Sequence, residues 1–304
     1  RNKGLEYKEG ESVIRMKVPE NKKVSFDDLV RGRVEFDSST IDDQVILKSD
    51  DYPTYHLAHI IDDHEMKITH IIRAEEWLSS TPKHILLNKM LGFDIPQYAH
   101  LPIILSPSKG KLSKRDGAVG ILEYQKQGYL PEALVNFMAF LGWNPKDERE
   151  FFNLDELKKE FSLKNVNKAG AVFDIEKLNF INRHYLQEKP VEEIEKIIDP
   201  EILSKFGQFD IGKVITLAKY RMEKIADFED TVSFLLNAKP TAEQLVFKKS
   251  DKDKTTKALS ATKEALGAID DFTQENIKLA LEKTVADNDL SNGDLFWPVR
   301  VALS

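Results

Sequence analysis

Two stretches of the 304-residue sequence hold side chains that could do chemistry. In the first, Lys109, Lys111, Lys114 and Arg115 fall within Leu105–Gly117, a segment whose prolines and glycines forbid a regular helix or strand. Such a basic loop can wrap a polyanion, because its backbone N–H groups are unspent and its lysines carry point charges on flexible stems. A solvated surface loop is the plainer alternative. The second stretch runs from Tyr55 to Trp77. It opens with His56 and His59 at HxxH spacing, which on a helix puts two imidazoles one turn apart, as in some zinc sites. Leu57 stands where zinc hydrolases usually carry glutamate, so local capping hydrogen bonds are the competing reading. Its far end carries Arg73 where an apolar run stops. An arginine at the carboxyl edge of a strand suits a carboxylate ligand, which its planar fork meets bidentately; a surface ion pair is the alternative.

The elements that must position these residues are legible from periodicity. After Pro53, Leu57, Ile60 and Ile61 recur at helical spacing, leaving Tyr55, His59 and Asp62 to share a face. Lys67–Arg73 is β-branched and predicts a buried strand. Ser80-Thr81-Pro82 predicts a capped helix start, with Ile85, Leu86, Met90 and Leu91 inward and Gly92 as its stop. A further strand is expected at 101–105 and another at Val119–Leu122, pinning the basic loop at both ends. Strand, helix, strand makes a crossover the default, half of an α/β nucleotide-binding domain. Residues 1–50 alternate in short pieces (Ser12–Val18, Val34–Phe36, Gln44–Leu47), with Phe26–Gly32 expected as a turn or short helix. Beyond Gly117 the pattern is helical: 131–141 with Leu134, Phe137, Met138 and Leu141 inward, a helix begun by Asp174, then Val191–Ile198, Ile211–Asn237, Thr255–Ile269 and Thr273–Val285. Links at 187–190 and 248–254 are candidate boundaries.

Composition, at 41% apolar and 31% charged, is that of a globular chain. There is no cysteine, hence no disulfide or thiolate metal site in these residues. A net charge of −7 argues against binding nucleic acid through overall charge, though a local basic face suffices for phosphate contacts. No apolar run reaches the roughly 18 residues of a membrane helix. The chain opens on Arg1 without a signal-peptide pattern, and its true beginning is expected to lie upstream.

The segment KLSKRDG, residues 111–117, resembles the KMSKS signature of class I aminoacyl-tRNA synthetases in the form found in the glutamyl group. Further blocks follow that family's order: the run from Met16-Lys17-Val18-Pro19 through Asp28-Leu29-Val30-Arg31-Gly32 to Asp42–Lys48, then YPTYHLAH, IRAEEW and FDIEKL. The resemblance to glutamyl-tRNA synthetases of bacterial and organellar type covers nearly the whole chain. It implies a reaction: ATP-dependent activation of L-glutamate to glutamyl-adenylate, then transfer to the 3′ end of the glutamate tRNA. It also implies roles. Lys111 and Lys114 would be catalytic, stabilising the leaving pyrophosphate, and Glu76, Trp77, Lys111, Leu112, Ser113, Lys114 and Arg115 would bind ATP. Tyr55, His59 and Arg73 would bind glutamate, with His59 where the family has asparagine; Arg221 would read the anticodon. The implied cofactor is ATP with Mg2+, with no zinc in this portion, in a cytoplasmic monomer.

The implied fold is α/β plus all-α. Residues 1–50 would end an acceptor-stem insertion, 51–117 form the second half of a Rossmann-type catalytic domain, 118–190 a helical stem-contact domain, and 191–304 an α-helical anticodon-binding region. No HIGH-type motif occurs, so this chain alone is expected to be inactive. The alternatives are a non-catalytic tRNA-binding fragment, a glutaminyl-tRNA synthetase, whose anticodon domains are β-barrels, or a tRNA-modifying paralogue.

Overall fold

A computed structural model of the chain describes residues 6, 8, 10–112, 120–237 and 239–303. Two compact units divide it, residues 1–185 and 186–304.

The first unit is built on a four-stranded sheet of order β3-β2-β6-β5. Its strands are β2 (Lys23–Asp28), β3 (Gly32–Asp37), β5 (His70–Ala74) and β6 (Gln97–Leu101); β1 (Ile14–Arg15) and β4 (Val45–Leu47) pair separately. β2 and β3 form an antiparallel hairpin, whereas β6 runs parallel to both β2 and β5. The sheet therefore joins residues on both sides of position 50. Phe26–Asp28, expected in a turn, are strand; the turn is only Leu29–Arg31, closed by Gly32 at φ +81°. The reason is burial: Val24, Phe26 and Asp28 alternate inward against β6, a period-two signal too short to read alone.

Two helices cover one face, α1 (Tyr55–Glu65) and α2 (Thr81–Leu91). Ile60, Ile85, Leu86 and Leu87 pack there against Met16, Val18, Phe26 and Tyr98. α2 closes on Gly92 in the left-handed conformation, as its sequence requires. Its start differs from expectation. Neither Ser80 nor Thr81 caps it, because a 3₁₀ turn over Glu75–Ser80 runs directly into it. Met90 and Leu91, expected inward, are exposed, since the covered stripe ends one turn earlier at Leu87. β5 is an edge strand, so Ile72 is 52% exposed rather than buried.

Pro102 separates β6 from β7 (Ile104–Leu105), which pairs in parallel with β8 (Ala171–Val172). α3 (Ile121–Lys126) stands where a strand was expected, and its leading Ile121 and Leu122 are exposed; Val119 is outside the described residues. α4 (Pro131–Phe140) buries Leu134 and Phe137 but leaves Met138 exposed. α5 (Leu154–Glu160) packs its Leu157 with Trp143 and Phe152. α6 (Ile175–Glu188) is capped by Asp174, whose carboxylate accepts the Glu176 N–H at 3.0 Å.

The second unit is helical among the described residues. α7 (Val191–Glu195), α8 (Pro200–Lys205), α9 (Ile211–Lys219), α10 (Phe228–Val232) and α11 (Phe234–Asn237) are short. The single helix expected over 211–237 is broken at Tyr220–Lys224, where Asp227 accepts the N–H groups of Glu223 and Lys224. α12 (Ala242–Leu245) precedes α13 (Lys252–Gly267), α14 (Gln274–Asp287) and α15 (Asn292–Ala302), whose Ala258, Leu281, Leu295 and Val299 form one core.

Gly293, in the first turn of α15, lies against Phe247, where a Cβ would sit 2.7 Å from ring Cδ1. Gly293→Ala is expected to cost about 1–3 kcal/mol through overpacking. Gly267→Ala, with open space around its Cβ, is expected to be neutral or mildly stabilising. Thermal unfolding of the two variants checks both.

Candidate active site

Arg73 is the penultimate residue of β5, at its carboxyl end, and its side chain turns inward between the sheet and α2. The guanidinium donates from Nε to His100 Nε2 at 3.2 Å, and from Nη2 to Thr81 Oγ1 at 3.0 Å and His84 Nδ1 at 3.1 Å. It lies 5.5 Å from the Trp77 ring centroid and 5.4 Å from that of Tyr98. All three acceptors are neutral groups. Among the described residues Arg73 forms no ion pair, although burial works against its charge.

Each acceptor is itself constrained. Thr81 Oγ1 donates to the Trp77 carbonyl at 2.9 Å, so it meets Arg73 with a lone pair. His84 is fully buried on α2, and burial, then the nearby His59 and Arg73, push its imidazole down to about 2. With Nδ1 accepting from Arg73, its Nε2–H is left to donate to His56 Nδ1, 2.9 Å away. Burial also holds His56, His59 and His100 below the ordinary imidazole range.

The expected ligand residues gather around this guanidinium. Tyr55 opens α1 and stacks flat on His59, ring centroids 4.8 Å apart, and on its other side meets Trp77 at 5.0 Å. His59 Nδ1 is 3.0 Å from the Tyr55 carbonyl oxygen, while its Nε2 is buried with no partner. The hydroxyl of the buried Tyr98 is likewise unpartnered. Both imidazoles of HxxH meet His84, but in different ways: His56 Nδ1 faces His84 Nε2, whereas the His59 ring packs edge-on against it, centroids 4.3 Å apart, with its Nδ1 turned to its own helix. No group of three or more His, Asp or Glu among the described residues could hold a metal ion.

The basic loop begins beside the same residues. Lys111 Nζ reaches Glu76 Oε1 at 2.6 Å, and Glu76 precedes Trp77 in the 3₁₀ turn. The base of the loop is a tight reversal: Ser106 N–H donates to Gly110 O at 2.8 Å, Lys109 adopts φ +65°, and Leu105 bridges Lys111. Leu112 donates its N–H to Ile104 O at 3.0 Å. Ser113, Lys114 and Arg115 lie outside the described residues. Neighbouring segments are fastened by Arg31, which bonds the His100 and Lys168 carbonyls and pairs with Glu75.

Sequence reasoning missed Thr81, His84, His100, Asp28 and Tyr98. A signal was present: His84 interrupts the apolar stripe of α2, and His100 falls at an inward position of β6. Polar residues at core positions mark a hydrogen-bonded network. A separate hollow of about 420 Å³, lined by Asp63, His64, Lys67, Thr69, Asp94 and Gln97 among others, opens at the amino-terminal end of β5 and β6 and contains none of the expected residues.

In the second unit Arg221 follows α9, exposed, with its guanidinium 6.0 Å from the Phe234 ring centroid. Together with Lys213, Thr216, Leu217 and Tyr220 it lines a hollow of about 500 Å³.

Residues 2–180 match the family "tRNA synthetases class I (E and Q), catalytic domain", and residues 186–304 match "Anticodon binding domain". The chain is 43% identical to a glutamate–tRNA ligase of Chlorobium phaeovibrioides, covering 96% of this chain and 59% of that protein. It is 41% identical to glutamate–tRNA ligase 2 of Thermoanaerobacter pseudethanolicus, over 96% and 62%. The crystal structure of a glutamate tRNA ligase from Elizabethkingia meningosepticum, in complex with its amino acid, superposes with a TM-score of 0.79 at 36% identity, covering 96% of this chain and 62% of that one. The chain thus spans about three fifths of the length of these relatives.

The buried imidazoles make a pH dependence. Each takes up its proton at lower pH in the folded chain than in the unfolded one, whose histidines titrate at about pH 6.5. Stability is therefore fully present above that value and falls on acidification, by up to about 1.4 kcal/mol per pH unit for His84. Urea unfolding at pH 7.5 and 5.0 is expected to show the loss, and His84→Gln to reduce the slope.

Proposed function

The chain belongs to the class I tRNA synthetases of the E and Q group, and from that premise we propose that it carries the lysine-loop half of a glutamate–tRNA ligase active site. The reaction is activation of L-glutamate by ATP to glutamyl-adenylate, with loss of pyrophosphate, followed by transfer of glutamate to the 3′ end of the glutamate tRNA. The observation that carries this reading is Arg73: a half-buried guanidinium hydrogen-bonded to neutral acceptors, with no acidic side chain paired to it among the described residues. A ligand carboxylate supplies the missing countercharge in bidentate geometry, and the neutral amide of glutamine does not, which leaves the guanidinium uncompensated.

The remaining roles follow from position. Tyr55 and His59 flank the amino acid, and the orphaned Nε2 of His59 offers it a hydrogen-bonding atom. Glu76 and Trp77 meet the nucleotide. Lys111 leaves Glu76 for the phosphates and, with Lys114, neutralises the charge that grows on pyrophosphate; the protein positions the reactants and need form no covalent bond itself. Magnesium would add positive charge at the phosphate oxygens. It binds chiefly through phosphates and water rather than a protein cage, which suits a site with no clustered acidic ligand set among the described residues. Exposed Arg221, with Lys213 and Tyr220 beside it, supports an anticodon contact. The helical character of residues 186–304 favours the glutamate reading over the glutaminyl one, which implies β-barrels.

Two measurements test the reading. Arg73→Gln is expected to lower glutamate affinity by at least tenfold while ATP affinity changes less than twofold; equal losses in both reject the role of Arg73. Because the sequence has the lysine loop but no HIGH-type motif, these 304 residues alone are expected to give no glutamate-dependent ATP–pyrophosphate exchange. Exchange is expected once a segment bearing that motif is supplied.

A further inference from the structure

A long side chain does not fix its own direction. Thr81 and His84 hold the Nη2 end of Arg73, and the Nε end rests on His100, which is backed by Asp28, the last residue of β2, whose carboxylate is fully buried. Its two oxygens share the His100 backbone N–H, 3.2 Å from each, and otherwise divide the work. Oδ1 accepts the backbone N–H of Val30 at 3.0 Å, Arg31 at 2.9 Å and His100 at 3.2 Å, holding the turn after β2 against β6. Oδ2 faces His100 Nδ1 at 2.6 Å. Burial pushes this carboxyl up, but the Arg31 N–H, the His100 ring and the remaining donors outweigh it and hold it below its usual range. An ionised carboxylate only accepts, so Nδ1 carries the proton. Nε2 faces the Arg73 Nε–H at 3.2 Å and Thr81 Oγ1 at 3.0 Å; because the guanidinium can only donate, Nε2 meets it with a lone pair and the ring is neutral, in keeping with burial, which lowers it. The opposite tautomer would set one N–H against another.

The charge arithmetic is the point of the relay. Asp28 placed directly on Arg73 would hold it equally well and would also neutralise it. One imidazole between them transmits the geometry while keeping the carboxylate out of ion-pair contact. We propose that Asp28 and His100 are positioning residues for recognition of the acidic ligand: Asp28 sets the tautomer of His100, and His100 aims the Arg73 guanidinium without cancelling its charge. The proposal rests on the reading of Arg73 as the partner of a ligand carboxylate.

The discriminating variant is Asp28→Asn. It keeps an oxygen at Oδ1 for the three backbone donors, but its amide nitrogen replaces Oδ2, donates to His100 Nδ1 and forces the proton onto Nε2. Side-chain 15N NMR of the full chain should show His100 protonated at Nδ1 in the wild type, with Arg73 Nε–H protected from exchange. Asp28→Asn should move the proton to Nε2, expose Arg73 Nε–H to exchange and reduce the preference for glutamate over glutamine about tenfold or more, with ATP affinity within twofold. A wild-type His100 protonated at Nε2, or at both nitrogens, overturns the proposal even if the variant does not fold. So does a switched tautomer with glutamate preference intact. Preference lost in Arg73→Gln but kept in Asp28→Asn overturns the positioning role alone; no preference in the wild type, unchanged by Arg73→Gln, overturns the reading of Arg73 and this proposal with it.

Discussion

A guanidinium cannot shed its proton, so where the fold half-buries Arg73 its charge must be answered by something. Here the answer is a set of neutral lone pairs on Thr81, His84 and His100, with the Trp77 and Tyr98 rings nearby. Hydrogen bonds of this kind satisfy the donors and leave the net charge in place. Asp63 and Asp28 act on that charge from outside ion-pair contact, so among the described residues no carboxylate meets the guanidinium directly. Much of the first unit can be understood as holding these groups in register around one side chain.

That register comes from three elements. Parallel pairing of β5 with β6 sets Arg73 opposite His100, so the two side chains emerge on the same face at adjacent strands. The 3₁₀ turn that leads without a break into α2 brings Trp77 and Thr81 one turn apart and places His84 a further turn along, all facing β5. Parallel contact between β2 and β6 brings Asp28 to His100 from 72 residues away in sequence. The hairpin at the base of the lysine loop then sets Lys111 against Glu76, next to Trp77.

The second unit follows a different economy. Its helices mostly start on Asp, Ser or Thr caps, such as Asp210, Asp251, Thr273 and Ser291, so backbone ends are satisfied locally. Larger cores are replaced by small ones such as Ala258, Leu281, Leu295 and Val299. Lys219 is nearly buried and reaches the Lys189 carbonyl at 3.0 Å, while its neighbours Tyr220 and Arg221 face outward. The helix break at that point separates the buried lysine from the exposed arginine.

The sequence by itself determined the parts governed by short-range chemistry. The stop of α2 at Gly92, the Asp174 cap, the helical second unit and the tight reversal over Ser106–Gly110 each follow from residues within one or two turns of each other. Arg73 at a strand end, Tyr55 and His59 on one helical face and Lys111 in the loop were all legible, because residue type and local period reveal which groups are present and which way they can point. Only the tertiary structure decided what those groups meet. Phe26–Asp28 became strand because β6 lies alongside, Ile72 was left uncovered because β5 is an edge, and His84, His100 and Asp28 joined Arg73 across separations that no local period records. A hydrogen bond between distant strands depends on how sheets and helices pack, and packing is the sum of many contacts that no single stretch of sequence contains.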